Sequence, residues 1–228
     1  MSNALSVLGL NVQYGSDLIL KNLSFQIKKG EIVAIVGKSG SGKTTLLHVL
    51  AGLKSFSGKV ELKETPGLVF QKYAIYPWLT VAQNIAFGMK AGEDPEQFLQ
   101  LSGLHEMQNR YPAELSGGQR QRAALAMVLA HNASLLLMDE PYGALDAYTK
   151  SKMHEWLLEV QEKSGKTILF VTHDIEEALF LADRVLVLDD GRIIEEFLVP
   201  FKRPRHKDIK FSAEFGNSRK KLSELLVE

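Results

Sequence analysis

One octet concentrates the chemistry of this chain. Gly37-Lys38-Ser39-Gly40-Ser41-Gly42-Lys43-Thr44 has the spacing G-x-x-x-x-G-K-[ST], and it lies between the apolar run EIVAIV and the helical pattern TTLLHVL. Each glycine inside a strand or helix gives up about 0.5–1 kcal/mol relative to alanine. The use of these glycines is geometric. A turn without side chains brings successive backbone N–H groups onto phosphate oxygens. A helix that starts there adds unpaired N–H donors and the positive end of its dipole. Lys43 can carry an ammonium to the β and γ phosphates. Thr44 offers a hydroxyl to Mg²⁺, an ion that takes few protein ligands and keeps waters. The octet therefore predicts a cradle for a Mg²⁺-bound triphosphate. The contacts are expected from Gly37, Lys38, Ser39, Gly40, Ser41, Gly42, Lys43, Thr44 and the next residue, Thr45.

A second group stands at the ends of apolar strands. LLLMDEP delivers Asp139 and Glu140 to a strand C-terminus, where open α/β sheets bind ligands. Beside a phosphate loop, Asp139 suits Mg²⁺ and Glu140 suits a water that attacks the γ-phosphorus. The same two residues could instead cap the next helix. FVTHD repeats the construction and ends in His173, whose imidazole can hydrogen-bond a γ-phosphate or serve only the local structure.

These residues need elements to hold them. The chain has 228 residues, is 45% hydrophobic, carries zero formal net charge and contains no cysteine. That length suits one large domain or one domain with an insert. The absence of cysteine excludes a disulfide framework and thiolate metal sites. Zero net charge argues against a nucleic-acid partner. The N-terminal stretch lacks the charged and apolar regions of a secretory signal, and no apolar run approaches the ~18 residues of a membrane span. LSVLGLNVQY, LSFQI and EIVAIV read as strands; LTVAQNIAFGMK, DPEQFLQLSGL and GGQRQRAALAMVLAH read as helices. From LLLMD onward strand and helix alternate, which implies βαβ units and a mostly parallel sheet. The expectation is an α/β three-layer core with an inserted helical region. Residues 1–71 and 127–199 form the two parts of the core and 72–126 the insert. Residues 200–228 form the tail, basic and weakly patterned from Pro200 to Gly216, with a short helix over SRKKLSELL.

ELSGGQRQR at 114–122 then adds a landmark. Ser116, Gly117 and Gly118 precede a helix expected from Gln119, a second helix N-terminus suited to an anion. Locally it is also a loop and helix cap. With the octet and the carboxylates, the motif resembles the LSGGQ signature of ATP-binding cassette (ABC) ATPases. The resemblance spans Leu5 to about Phe197, and it implies a P-loop NTPase core with an N-terminal antiparallel β region. It implies that ATP and Mg²⁺ are bound. Tyr14 resembles the aromatic residue that stacks on adenine. Gln71 resembles the Q-loop glutamine, with a place at the metal. Asp146 in GALDA resembles the acid of the D-loop, and His173 the switch histidine. Lys43, Gln71, Glu140 and His173 are the implied hydrolytic residues, with Thr44, Gln71 and Asp139 at the metal. Cassettes of this family pair head-to-tail, so that the signature of one copy, here Ser116 to Gln119, closes over ATP on the loop of the other.

The wording YPWLTVAQNIAFG, MDEPYGALDAYTK and LFVTHDIEEALFLADRVLVL is similar to bacterial importer ATPases for nitrate, taurine, aliphatic sulfonates or thiamine-precursor pyrimidines. That resemblance implies transmembrane permease subunits, a solute-binding protein acting indirectly, and a peripheral position on the cytoplasmic face of the inner membrane. Tyr73, Ile75, Tyr76, Pro77, Trp78 and Leu79 are candidates to meet the permease, since aromatic anchors are frequent at interface centres. Met127 departs from the arginine common in the family, and the segment between the phosphate loop and Gln71 is short. An exporter ATPase and a soluble ABC ATPase are the alternatives. The signature together with Glu140 excludes a P-loop kinase or GTPase.

Overall fold

The computed structural model describes residues 2–70, 74–90, 92–143 and 145–227. The chain opens with β1 (Asn3–Tyr14), β2 (Asp17–Lys28), β3 (Ile32–Val36), α1 (Lys43–Leu50), β4 (Ser57–Leu62) and β5 (Pro66–Val69). Three helices follow: α2 (Val81–Ala86), α3 (Glu96–Ser102) and α4 (Gly117–Ala130). Then come β6 (Leu135–Asp139), α5 (Ala147–Ser164), β7 (Thr167–Thr172), α6 (Ile175–Leu181), β8 (Arg184–Asp189), β9 (Arg192–Leu198) and α7 (Ala213–Val227).

Two sheets result. β1 pairs antiparallel with β2 on one side and β4 on the other. The second sheet has the order β5-β6-β7-β3-β8-β9, parallel except for β9, which returns antiparallel on β8. Every residue of β3, β6 and β7 is buried. Continuous apolar runs of this kind belong to strands covered on both faces. The two faces separate by the period-two alternation. Ala34, Val36, Met138 and Phe170 point into a cluster with Leu129, Leu157, Leu179 and Leu222 from α4, α5, α6 and α7. Val33, Ile35, Leu137 and Leu169 point the other way, onto Leu46 and Leu50 of α1 and the inner face of the first sheet. This is the three-layer α/β arrangement. A third apolar cluster, with Val81, Ile85, Leu99, Leu115 and Ala126, joins α2, α3 and α4. α4 runs unbroken through position 126 to Ala130, so one helix serves both the third cluster and the first.

The tail departs from the expectation. α7 begins at Ala213, five residues before the predicted helix, and it runs through Gly216. A helix-interior glycine costs about 1 kcal/mol. Burial of Phe215 and Leu222 against the core offsets that cost, and the Ser212 hydroxyl accepts from the N–H of Phe215 at the helix start. The tail is anchored as well as helical. The buried Arg205 guanidinium donates to the carbonyls of Phe180, Ala182 and Phe201. Burial brings its pKa down to about 10, so the group stays charged at neutral pH.

The register fixes what lies at the working edge. Val36 pairs with Thr172, and Asp139 with Val171. The C-terminal ends of β3, β6 and β7 are therefore level with one another. They release Gly37, Glu140 and His173 along one edge of the sheet.

Phe170 is fully buried at the middle of this sheet. We expect Phe170→Ala to lower the unfolding free energy by about 3–5 kcal/mol, read as a shifted urea midpoint with an unchanged slope.

Candidate functional site

The octet forms a tight turn between β3 and α1, and its glycines have specific reasons to be there. A Cβ on Gly37 would lie 2.2 Å from the carbonyl oxygen of Leu188 in β8 and 2.7 Å from Ser41 Oγ. Gly42, the N-cap of α1, has φ +102°, and no side chain caps that helix. The first rung of α1 runs from the N–H of Leu46 to the carbonyl of Gly42. The N–H groups of Lys43, Thr44 and Thr45 precede that ladder and face the turn. A cavity of about 330 Å³ opens over them, lined by Tyr14, Ile19, Ser39, Gly40, Gly42, Lys43, Thr44, Thr45 and Glu140. Tyr14 ends β1, and its ring carries Lys54 Nζ at 4.5 Å from the centroid. Neither Ile19 nor Lys54 was expected from sequence. Ile19 belongs to an ordinary strand alternation, and Lys54 reaches Tyr14 only through the folded arrangement.

Lys43 is buried, and its ammonium donates to the carbonyls of Gly37 and Lys38, at 2.8 Å each. Burial pushes its pKa below the usual lysine value, while Glu140 and Asp139 pull it back up. Thr44 donates its hydroxyl to Asp139 Oδ1 at 3.1 Å. Burial raises the Asp139 pKa, with the nearby Glu140 charge adding to it and the Thr44 bond opposing it. Glu140 turns sharply out of β6 with φ +41°, a left-handed backbone that costs a non-glycine residue about 1–3 kcal/mol and is common at working sites. Its carboxylate Oε2 lies 3.4 Å from His173 Nδ1. The structure thus brings the phosphate loop, Asp139, Glu140, His173 and Tyr14 to one edge. Gln71 and Tyr73 lie outside the described residues.

The signature forms a separate place. Ser116 caps α4: its hydroxyl accepts from the N–H of Gln119, and the Gln119 side chain accepts from the N–H of Ser116. The helix starts at Gly117, earlier than the Gln119 start expected, because this reciprocal cap completes the first turn. A Cβ on Gly118 would sit 2.8 Å from Thr149 Cγ2, so the missing side chain lets α4 approach α5. Asp146 caps α5, and its carboxylate accepts from the N–H groups of Tyr148 and Thr149; the Thr149 side-chain hydrogen bond, with these amides, lowers its pKa. Ser116, Gly118, Gln119, Arg122, Lys152 and Trp156 are among the residues around a second cavity of about 380 Å³. It shares no lining residue with the cavity over the phosphate loop. A further cavity, of about 510 Å³, lies elsewhere, between α5 and the tail, with Glu155, Glu159 and Arg203 in its walls.

The donor set fits a nucleoside triphosphate with Mg²⁺. Three helix-end N–H groups and a lysine face the turn, Ser41 Oγ is buried with no hydrogen-bond partner among the described residues, and a hydroxyl and a carboxylate already touch. We expect Gly37→Ala to weaken ATP binding by about tenfold or more, a loss of about 1.4 kcal/mol, with an unchanged far-ultraviolet spectrum. Titration calorimetry checks this, and wild-type affinity would contradict the cradle.

The sequence profile described as ABC transporter matches residues 20–143. The chain is 44% identical over 217 residues to the aliphatic sulfonates import ATP-binding protein SsuB 1 of Paracoccus denitrificans, covering 91% of this chain and 90% of that one. It is also 44% identical over 211 residues to the sulfate/thiosulfate import ATP-binding protein CysA of Brucella melitensis, with 82% of this chain and 59% of that protein covered. Among solved structures, cbiO1 from Clostridium perfringens, part of the ABC transporter complex cbiONQ, superposes with a TM-score of 0.83 at 27% identity. That match covers 99% of this chain and 98% of the other. The dimeric cassette MJ0796 bound to ADP and Pi gives a TM-score of 0.74 at 31% identity over 87% of this chain and 100% of the other. The matched profile runs from β2 to the turn after Glu140 and so contains the whole cradle; the chain belongs to the ABC transporter family and is an ATP-binding, ATP-hydrolysing cassette of it.

Proposed function

We propose that this chain is the ATPase subunit of a bacterial importer, and that two copies hydrolyse ATP head-to-tail to drive uptake of a small sulfonate- or sulfate-like anion. One observation carries the pairing. The chain presents two helix ends suited to phosphate, at Lys43–Thr45 and at Ser116–Gly118, and their cavities share no residue. A single γ-phosphate meets both when the second helix end comes from a second copy. The dimeric MJ0796 structures support this arrangement. Import and the class of solute are supported by the names of relatives that act on aliphatic sulfonates, sulfate and thiosulfate.

Within each site the roles follow from position. The backbone of Gly37–Thr45 and Lys43 hold the phosphates, with Lys43 exchanging two loop carbonyls for phosphate oxygens. Tyr14 offers a ring face to the base. Thr44 and Asp139 would hold Mg²⁺, which when bound neutralises charge on the phosphate oxygens. Glu140 accepts a proton from the attacking water, and His173, in contact with Glu140, steadies the γ-phosphate end. Most of the rate gain is positioning and charge stabilisation, as in phosphoryl transfer generally. Outside the site, Tyr76 packs on Trp78 and Phe87 with centroids 5.6 and 4.3 Å apart. Trp78 and Phe87 remain exposed there, a surface suited to a helix of a permease subunit. A solute-binding protein would act through the permease, and among the described residues no helix is long and apolar enough to cross a membrane.

Two experiments test this reading. Glu140→Gln is expected to bind ATP, sediment as a dimer and hydrolyse about a hundredfold or more slowly. A monomer at saturating Mg·ATP would contradict the pairing. A strain lacking this gene should fail to grow on an aliphatic sulfonate as sole sulfur source and recover with the wild-type gene but not with Glu140→Gln; undiminished growth would remove the solute assignment.

A further inference from the structure

Behind the ends of β6 and β7 lies a partly buried charged cluster that none of the roles above uses. Lys150 stands in the first turn of α5. Its ammonium donates to Asp174 Oδ2 at 2.6 Å and lies 3.2 Å from Glu177 Oε2. Its own N–H donates to the carbonyl of Asp146, the residue that caps α5. Asp174 in turn caps α6. Its Oδ1 accepts from the N–H groups of Glu176 and Glu177, and its N–H donates to Thr172 Oγ1 at 3.0 Å. Thr172 is the last residue of β7, so the residue between the two anchors is His173. The His173 side chain is 66% exposed and has little packing of its own, yet it reaches Glu140. Its placement therefore depends on how firmly Asp174 is held.

Glu177 explains why the hold is firm. Its side chain is 2% exposed, and a buried carboxylate without a partner is costly. His154, also near it, lies 3.6 Å away. Burial holds the His154 imidazole below its ordinary pKa despite the attraction of Glu177, so it is neutral at pH 7. Lys150 is thus the cation that both carboxylates share. Burial alone would lower the Lys150 pKa, but the Asp174 hydrogen bond and the Glu177 charge raise it above the usual value. Burial alone would raise the Asp174 pKa, but the Lys150 bond and the two helix amides bring it below the usual carboxylate range.

We propose that Lys150 is a positioning residue for hydrolysis, a strut between the first turns of α5 and α6 that sets the His173 imidazole against Glu140. The strut also ties that setting to the segment capped by Asp146, the stretch that adjoins the signature cavity through Tyr148 and Thr149. The proposal rests on the reading of Glu140 and His173 as the hydrolytic pair. A lysine that served only the fold would change stability without acting through His173.

Steady-state ATP hydrolysis by the full chain separates the two cases, using Lys150→Met, Lys150→Arg, His173→Ala and the Lys150→Met/His173→Ala double variant. Displacing a reacting group by about an ångström costs up to about a hundredfold in rate. We expect Lys150→Met to lower kcat by about ten- to a hundredfold with KM for ATP unchanged, and Lys150→Arg to restore most of the rate. The double variant should be no slower than His173→Ala alone, because both changes remove the same contact. Should Lys150→Met fail to fold, Asp174→Asn keeps an N-cap acceptor and loses the charge partner, and the same non-additivity with His173→Ala is expected. A wild-type kcat in Lys150→Met, or losses that multiply in the double variant, would overturn the strut while leaving the hydrolytic pair intact. A wild-type rate in His173→Ala would overturn the strut together with the reading on which it rests.

Discussion

The interaction on which the rest depends is a set of backbone N–H groups that the fold leaves without a carbonyl. At the start of α1 no side chain caps the helix, and the donors of Lys43, Thr44 and Thr45 face a turn too tight for any side chain at Gly37. A helix end of this kind, partly enclosed, is unfavourable until something negative meets it. The surroundings exist to keep that end open and correctly aimed. β3 lies inside the parallel sheet, covered on both faces, so the turn that follows Val36 cannot drift. β8 presses its Leu188 carbonyl against Gly37 and closes the turn from behind.

The charged groups obey the same constraint. Lys43 and Asp139 are both buried, and that burial shifts each toward its neutral form. In such a place hydrogen bonds and charge contacts are stronger than in water, and a triphosphate with its ion satisfies both signs together. Glu140 and His173 meet at this edge. The second helix end suited to phosphate, at the start of α4, is held against α5 by the close approach of Gly118 to Thr149. In the proposed pairing the chemistry is divided between two copies, and the α5–α6 junction links the Glu140–His173 contact to the segment capped by Asp146 within one chain.

Much of this was legible in the sequence, for a physical reason. A phosphate loop, a strand-end acid pair and a capped signature are local solutions, so the residue types at Gly37–Thr44, Asp139–Glu140 and Ser116–Gln119 carry their geometry with them. The three-layer core was readable from continuous apolar strands alternating with helices. What escaped were the features made by contacts between distant residues. Lys150 and Asp174 are 24 positions apart, and neither belongs to a spacing pattern. Lys54 reaches the Tyr14 ring across the fold. The early start of α7 could not be read locally, because Gly216 argues against a helix and only the burial of Phe215 and Leu222 decides for it.

The central claim is that backbone N–H groups at the start of α1 grip the phosphates. Two-dimensional amide spectra of the isotope-labelled chain, titrated with a non-hydrolysable ATP analogue and Mg²⁺, test it directly. The account predicts that the largest amide shifts fall at Gly40, Gly42, Lys43, Thr44 and Thr45, with little change at the far end of the sheet. Amides of Gly37–Thr45 that stay in place while the analogue binds would contradict it.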